Sequence, residues 1–177
     1  NSHVVTMHVP LDETTRKMAD EEFFRMMQPG SIFINASRGE VVDDDALVQA
    51  IPKLGAVVID TWNNEPDVNA DLIEMVDIAT PHIAGYSYQG KQNGTASAVQ
   101  SVARRFGIEP LYDFYPEEDL PDHNPILLDL KDKTQGERAA VFQYNYPIFT
   151  DDFRFRMEPH KFEKLRSEYQ YRREIYV

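Results

Sequence analysis

Short apolar runs alternate with helix-like stretches through the first half of the chain, and this alternation limits the fold more than any other feature. Val4-Val-Thr-Met-His-Val9, Ser31-Ile-Phe-Ile-Asn35, Gly55-Ala-Val-Val-Ile-Asp60 and Val76-Asp-Ile-Ala79 have the length and apolar content of buried strands. Between the first two, Asp20 can cap a helix running to Met27. Glu21 and Glu22 sit in its first turn, where the helix dipole favours acids, and Phe23, Met26 and Met27 give it an apolar stripe. Pro29-Gly30 stops it. Asp43-Asp-Asp45 opens a second helix containing Ala46, Leu47 and Ala50. Apolar strands separated by helices pair in parallel, with the helices as crossovers. In such sheets a ligand sits beyond the carboxyl ends of the strands.

Three short segments follow such strand ends. They are Ile34-Asn-Ala-Ser-Arg-Gly39, Asp60-Thr-Trp-Asn-Asn-Glu-Pro66 and Thr80-Pro-His-Ile-Ala-Gly85. They bring Arg38, Glu65 and His82 to one expected cleft. Arginine grips a carboxylate through two parallel hydrogen bonds. Histidine exchanges a hydroxyl proton near neutral pH. A carboxylate beside the histidine favours its charged form and fixes its ring. Together they can move a proton and a hydride on a 2-hydroxy acid. Taken singly, each has a plainer reading: a loop arginine in a salt bridge, a surface glutamate before proline, a histidine at a strand end.

The second half reads differently. Ser87 to Phe106 is one long helix with Ala96, Val99, Ala103 and Phe106 on a face, and Gly107 can end it in a left-handed conformation. Gly90 and Gly94 inside it cost about 1 kcal/mol each against alanine, which points to a close approach near the helix start. Glu109 to Asn124, rich in Pro, Glu and Asp, reads as a linker or exposed loop. Ile126 to Leu130 alternates as a strand, and Gln135 to Tyr144 is helical in pattern. Pro159 starts a helix over Lys161 to Tyr171, with Phe162, Leu165 and Tyr169 on one face. Glu174 to Val177 resembles a strand. The expected division is therefore 1–107, the sheet with its long helix, and 108–177, a small unit with too little core to be comfortable alone.

The arginine-glycine turn, the glutamate-proline and the proline-histidine, in this order, resemble the D-2-hydroxyacid dehydrogenase family. Within it, Val76-Asp-Ile-Ala-Thr-Pro-His-Ile-Ala-Gly-Tyr86, Gln89-Gly-Lys91, Gly94-Thr95 and the tail Phe162-Glu-Lys-Leu-Arg-Ser-Glu-Tyr169 with Arg172-Arg-Glu174 resemble the branch acting on 4-phosphoerythronate in pyridoxal phosphate (vitamin B6) synthesis. Most other relatives lack a domain after the long helix. The resemblance implies an α/β, doubly wound Rossmann-type parallel sheet followed by a small α+β dimerisation domain. It further implies a cytoplasmic homodimer, NAD as cofactor and a phosphorylated 2-hydroxy acid as substrate. His82 would be the acid/base, Glu65 its partner, and Arg38 the group that orients the substrate and polarises its developing carbonyl. Val9, Pro10, Ala36 and Ser37 would line the cofactor. Asp60 would touch the nicotinamide carboxamide, where its plainer reading is a helix cap or loop hydrogen bond. Gly85 would admit the nicotinamide ring, and Tyr86 would reach the substrate. The alternatives are a relative acting on phosphoglycerate or glyoxylate, and a dinucleotide-sensing corepressor on the same fold.

No Gly-x-Gly-x-x-Gly occurs among the 177 residues. That turn carries a dinucleotide's pyrophosphate to a helix N-terminus. The expectation is therefore the C-terminal part of a longer enzyme, inactive alone and binding dinucleotide weakly. A formal net charge of −12 argues against nucleic acid, which needs a basic surface. No apolar run is long enough to span a membrane. Cysteine is absent, and His3, His8, His123 and His160 show no metal-site spacing. Lys161, Lys164, Arg166, Arg172 and Arg173 read as a solvated or interface face.

Overall fold

The computed structural model describes residues 2–117 and 123–177. Its contacts divide the chain into two compact units, Asn1–Ala84 with Pro147–Glu168, and Gly85–Tyr146 with Tyr169–Val177. The cut differs from the expected one at Gly107. The long helix clusters with the second unit, while residues 147–168 cluster with the sheet.

The first unit is built on β1 (Val4–Met7), β2 (Ile32–Asn35), β3 (Ala56–Ile59) and β4 (Ile78–Ala79), with α1 (Glu21–Met26), α2 (Asp44–Ala50) and α3 (Ala70–Met75) between them. The strands lie in the order β1-β2-β3-β4, all parallel. Consecutive parallel neighbours joined by helical crossovers form one half of a doubly wound sheet. Asn35, Ile59 and Ala79 share a register line, so the carboxyl ends of β2, β3 and β4 open on one edge. Phe33 and Val57 are register partners and both buried, with Phe23 and Phe24 edge-on to Phe33. Half-buried Ile32 and Ile34 alternate with them, as expected of strands covered on both faces.

The helix caps form where the sequence places them. Asp20 accepts from the Phe23 N–H, and Asp43 accepts from the Asp45 and Ala46 N–H groups. Two helices of this unit were not foreseen. One is α3, capped by Asn69. The other is α6 (Ile148–Met157), held by long-range polar contacts rather than by a side-chain cap. Arg156 donates to the carbonyls of Ile73 and Val76, and Asp152 accepts the Ala79 N–H at 2.7 Å. Phe155, fully buried, carries the helix onto Trp62 and Phe162. The helix expected over Lys161–Tyr171 is shorter. A 3-10 turn at Pro159–Lys161 leads into α7 (Phe162–Ser167).

The second unit carries α4 (Tyr88–Phe106), capped by Ser87 and ended by Gly107 at φ +69°. It also holds a two-stranded parallel sheet of β5 (Ile126–Leu127) and β6 (Ile175–Tyr176), and α5 (Gln135–Asn145), which opens on a Thr134/Glu137 capping box. Residues 118–122 of the expected linker lie outside the described residues. The preceding stretch packs along α4. Gln100 donates to the Phe114 carbonyl at 2.8 Å and the Tyr115 hydroxyl to Asn93 at 3.0 Å.

Candidate active site

Each of the three expected residues stands in a loop just past a strand end of the first unit, on the same edge of the sheet. At β2, the buried Asn35 shapes the turn. Its Oδ1 accepts from the Ser37 N–H at 3.1 Å and the Ser37 hydroxyl at 2.9 Å, and its Nδ2 donates to the Arg38 carbonyl at 3.0 Å. The turn buries Ser37 and leaves Arg38 exposed. One guanidinium nitrogen donates to the Ser37 carbonyl at 2.6 Å, and among the described residues Arg38 makes no ion pair. Its other donors remain for a carboxylate. Gly39 is required next to it, because a Cβ there would lie 2.0 Å from the Trp62 carbonyl carbon.

After β3, Glu65 folds back on its own loop. Its Oε1 accepts from the Trp62 backbone N–H at 2.9 Å, and its Oε2 meets His82 Nδ1 at 2.8 Å. A carboxylate only accepts, so Nδ1 carries the proton and Nε2 is left for exchange with a ligand. Both side chains are 20% exposed, shielded yet reachable.

His82 has φ +57°, a left-handed conformation that is unfavourable for a residue with a Cβ. Asp60 holds it there. Its backbone carbonyl accepts the His82 N–H at 2.7 Å. Its buried carboxylate accepts from the Thr80 hydroxyl at 2.7 Å, the Ile83 N–H at 2.8 Å and the Ala84 N–H at 3.0 Å. Burial pushes this carboxyl's pKa up, against these donors and the nearby His82. Asp60→Asn removes the buried charge but sets an amide N–H₂ against a backbone N–H. We expect the unpaired donor to dominate, costing about 1–3 kcal/mol. A fall in the urea midpoint checks it, and an unchanged midpoint refutes it.

Val9 and Pro10 follow the end of β1 on the same edge, Val9 half-buried against the core and Pro10 exposed. Ala36 is half-buried, and the Ser37 hydroxyl is engaged within its own turn. Gly85 and Tyr86 belong to the second unit. There the Tyr86 ring lies among Tyr169, Tyr171 and the Lys91 ammonium, which is 4.2 Å from its centroid. Sequence reasoning missed Asn35 and Trp62. A polar residue closing a buried strand was the available signal for Asn35. Trp62 had none beyond its place between Asp60 and Glu65.

Residues 1–84 match the D-isomer specific 2-hydroxyacid dehydrogenase, NAD binding domain. The chain is 41% identical over 177 residues to the erythronate-4-phosphate dehydrogenase of Bacteroides thetaiotaomicron, covering 97% of this chain and 48% of that relative. The enzyme of the same name from Bacteroides fragilis is 37% identical over the same shares. The chain thus spans about half the length of the curated relatives it matches. A D-lactate dehydrogenase from Aquifex aeolicus, solved with NAD and lactic acid, superposes with a TM-score of 0.51 at 29% identity, over 66% of this chain and 42% of that one. The parallel sheet with its alternating helices is the Rossmann-type arrangement expected, and the family model it matches describes an NAD binding domain.

The residues present fit one end of that cofactor. The Asp60 Oδ2 accepts a single N–H and keeps a lone pair for a carboxamide. A glycine-rich pyrophosphate turn is not among the 177 residues. Among the described residues no cluster of metal-ligating side chains occurs, and no helix is long and apolar enough to cross a membrane.

Proposed function

We propose that this chain supplies the catalytic residues of an NAD-dependent dehydrogenase that oxidises the 2-hydroxyl of 4-phosphoerythronate to the 2-oxo acid, a step toward pyridoxal phosphate. The observation that carries the reading is the Glu65–His82 pair beyond the ends of β3 and β4, with the exposed Arg38 beyond the neighbouring end of β2. Identity to relatives named for that reaction supports the substrate. In this reading Arg38 binds the substrate carboxylate in a forked grip. Nε2 of His82 takes the hydroxyl proton while the C2–H bond breaks and the C2–O bond becomes a carbonyl. Bound NAD supplies the hydride acceptor. Glu65 keeps the ring oriented and stabilises the imidazolium that forms. Asp60 borders the nicotinamide, and Val9, Pro10, Ala36 and Ser37 line the cofactor. A cytoplasmic homodimer through residues 108–177 goes with this reading, and exposed Leu127 and Tyr144 in that stretch support the dimer.

The test is a chimera in which the B. thetaiotaomicron relative takes this chain in place of its aligned segment. NADH formation is compared on 4-phosphoerythronate, 3-phosphoglycerate and simple 2-hydroxy acids. We expect the highest kcat/KM on 4-phosphoerythronate. Preference for another hydroxy acid would keep the chemistry and discard the substrate. NADH binding without turnover of any of them would favour a dinucleotide sensor.

A further inference from the structure

Trp62 touches all three loops that carry the candidate catalytic side chains. Its backbone N–H donates to Glu65 Oε1 at 2.9 Å. Its indole Nε1–H donates to the Thr80 carbonyl at 2.9 Å, two residues before His82. Its carbonyl is the surface against which Gly39, next to Arg38, is packed. The side chain is 3% exposed, and its ring meets Phe155 of α6 edge-on at 5.6 Å. The same helix also holds the strand end leading to His82, where Asp152 accepts the Ala79 N–H.

These contacts converge on one geometric quantity, the placement of Glu65 against His82. Glu65 is fixed by the Trp62 peptide, and the strand end leading to His82 is fixed by the Trp62 indole and by Asp152. The buried indole packs edge-on against Phe155 of α6. We infer that Trp62, clamped by α6, is a positioning residue that sets the Glu65–His82 hydrogen bond. The inference rests on the proposed roles of that pair. It gives the segment 147–168 a task at the catalytic edge of the sheet, beyond completing the core.

Trp62→Phe keeps an aromatic ring against Phe155 and removes the indole donor. In the chimera we expect kcat to fall ~10- to 100-fold, the size of effect a misplaced reacting group produces, with substrate KM within about twofold. Combined with Glu65→Gln, the two losses should fall well short of multiplying, because both act through one hydrogen bond. Trp62 is the only tryptophan. In the chain by itself, a sulfur analogue of tryptophan lacking the N–H therefore alters this site alone and keeps the ring shape. A readout independent of turnover uses the chain by itself. The His82 Nδ1–H proton resonance, slowed in exchange by Glu65, should vanish or exchange rapidly in Trp62→Phe and with the analogue. Full kcat in a folded variant, multiplicative losses, or an unchanged Nδ1–H resonance would each overturn the inference. If the unmodified chimera has no activity, the proposed function fails, and the resonance alone decides the positioning role.

Discussion

Replacing His82 by asparagine is expected to lower kcat for 4-phosphoerythronate in the chimera by ~10²–10⁴-fold, the usual contribution of a positioned acid/base. Asparagine suits the position for two reasons. It tolerates the left-handed backbone that His82 adopts at φ +57°, so the loop held by Asp60 should survive. Its amide N–H₂ can still reach Glu65, but no atom of it exchanges a proton near neutral pH. The loss should therefore appear in kcat, with NADH affinity and substrate KM changed little. Steady-state kinetics with a separate NADH titration make the distinction. A kcat within threefold of the unsubstituted chimera would remove His82 from the chemistry. A collapse of NADH binding would mean that the loop was disturbed instead.

The sheet of the first unit was legible because its signals are local. Each strand is a short apolar run, and Asp20 and Asp43 cap their helices through N–H groups two or three residues away. The three catalytic candidates were legible as a motif, but the contact joining Glu65 to His82 spans 17 residues and belongs to the folded chain. Trp62 acts on backbone groups, which leave no trace in side-chain pattern, and Asn35 was marked only by its polar place at the end of a buried strand. Helix α6 was hidden for a different reason. Phe149, Phe153 and Phe155 fall on more than one face, and Pro147 offers no side-chain cap, so no single apolar stripe or start signal marks it. Its helicity comes from partners far along the chain, Ile73, Val76 and Ala79. The division at Gly107 failed to anticipate this return for the same reason.

That dependence makes Phe155 the residue whose loss should destabilise the first unit most. Phe155 is fully buried between Trp62 and Phe162, with ring centroids 5.6 and 5.8 Å away. Neither neighbour is free to collapse into a cavity. Trp62 is held by two hydrogen bonds, and Phe162 is buried at the start of α7. Phe155→Ala should therefore cost ~3–5 kcal/mol, the range for a buried ring whose site cannot close. That is a large share of the ~5–15 kcal/mol that holds a typical domain together. Phe153 on the same helix is 63% exposed, so Phe153→Ala should stay within about 0.5 kcal/mol of the unsubstituted chain. Urea unfolding followed by the emission of Trp62 compares the two, with an unchanged slope marking a true change in stability. Equal midpoints for both variants would mean that α6 does not pack on the sheet. A large drop confined to Phe155→Ala would show that α6 completes the core behind the loops that carry Arg38, Glu65 and His82.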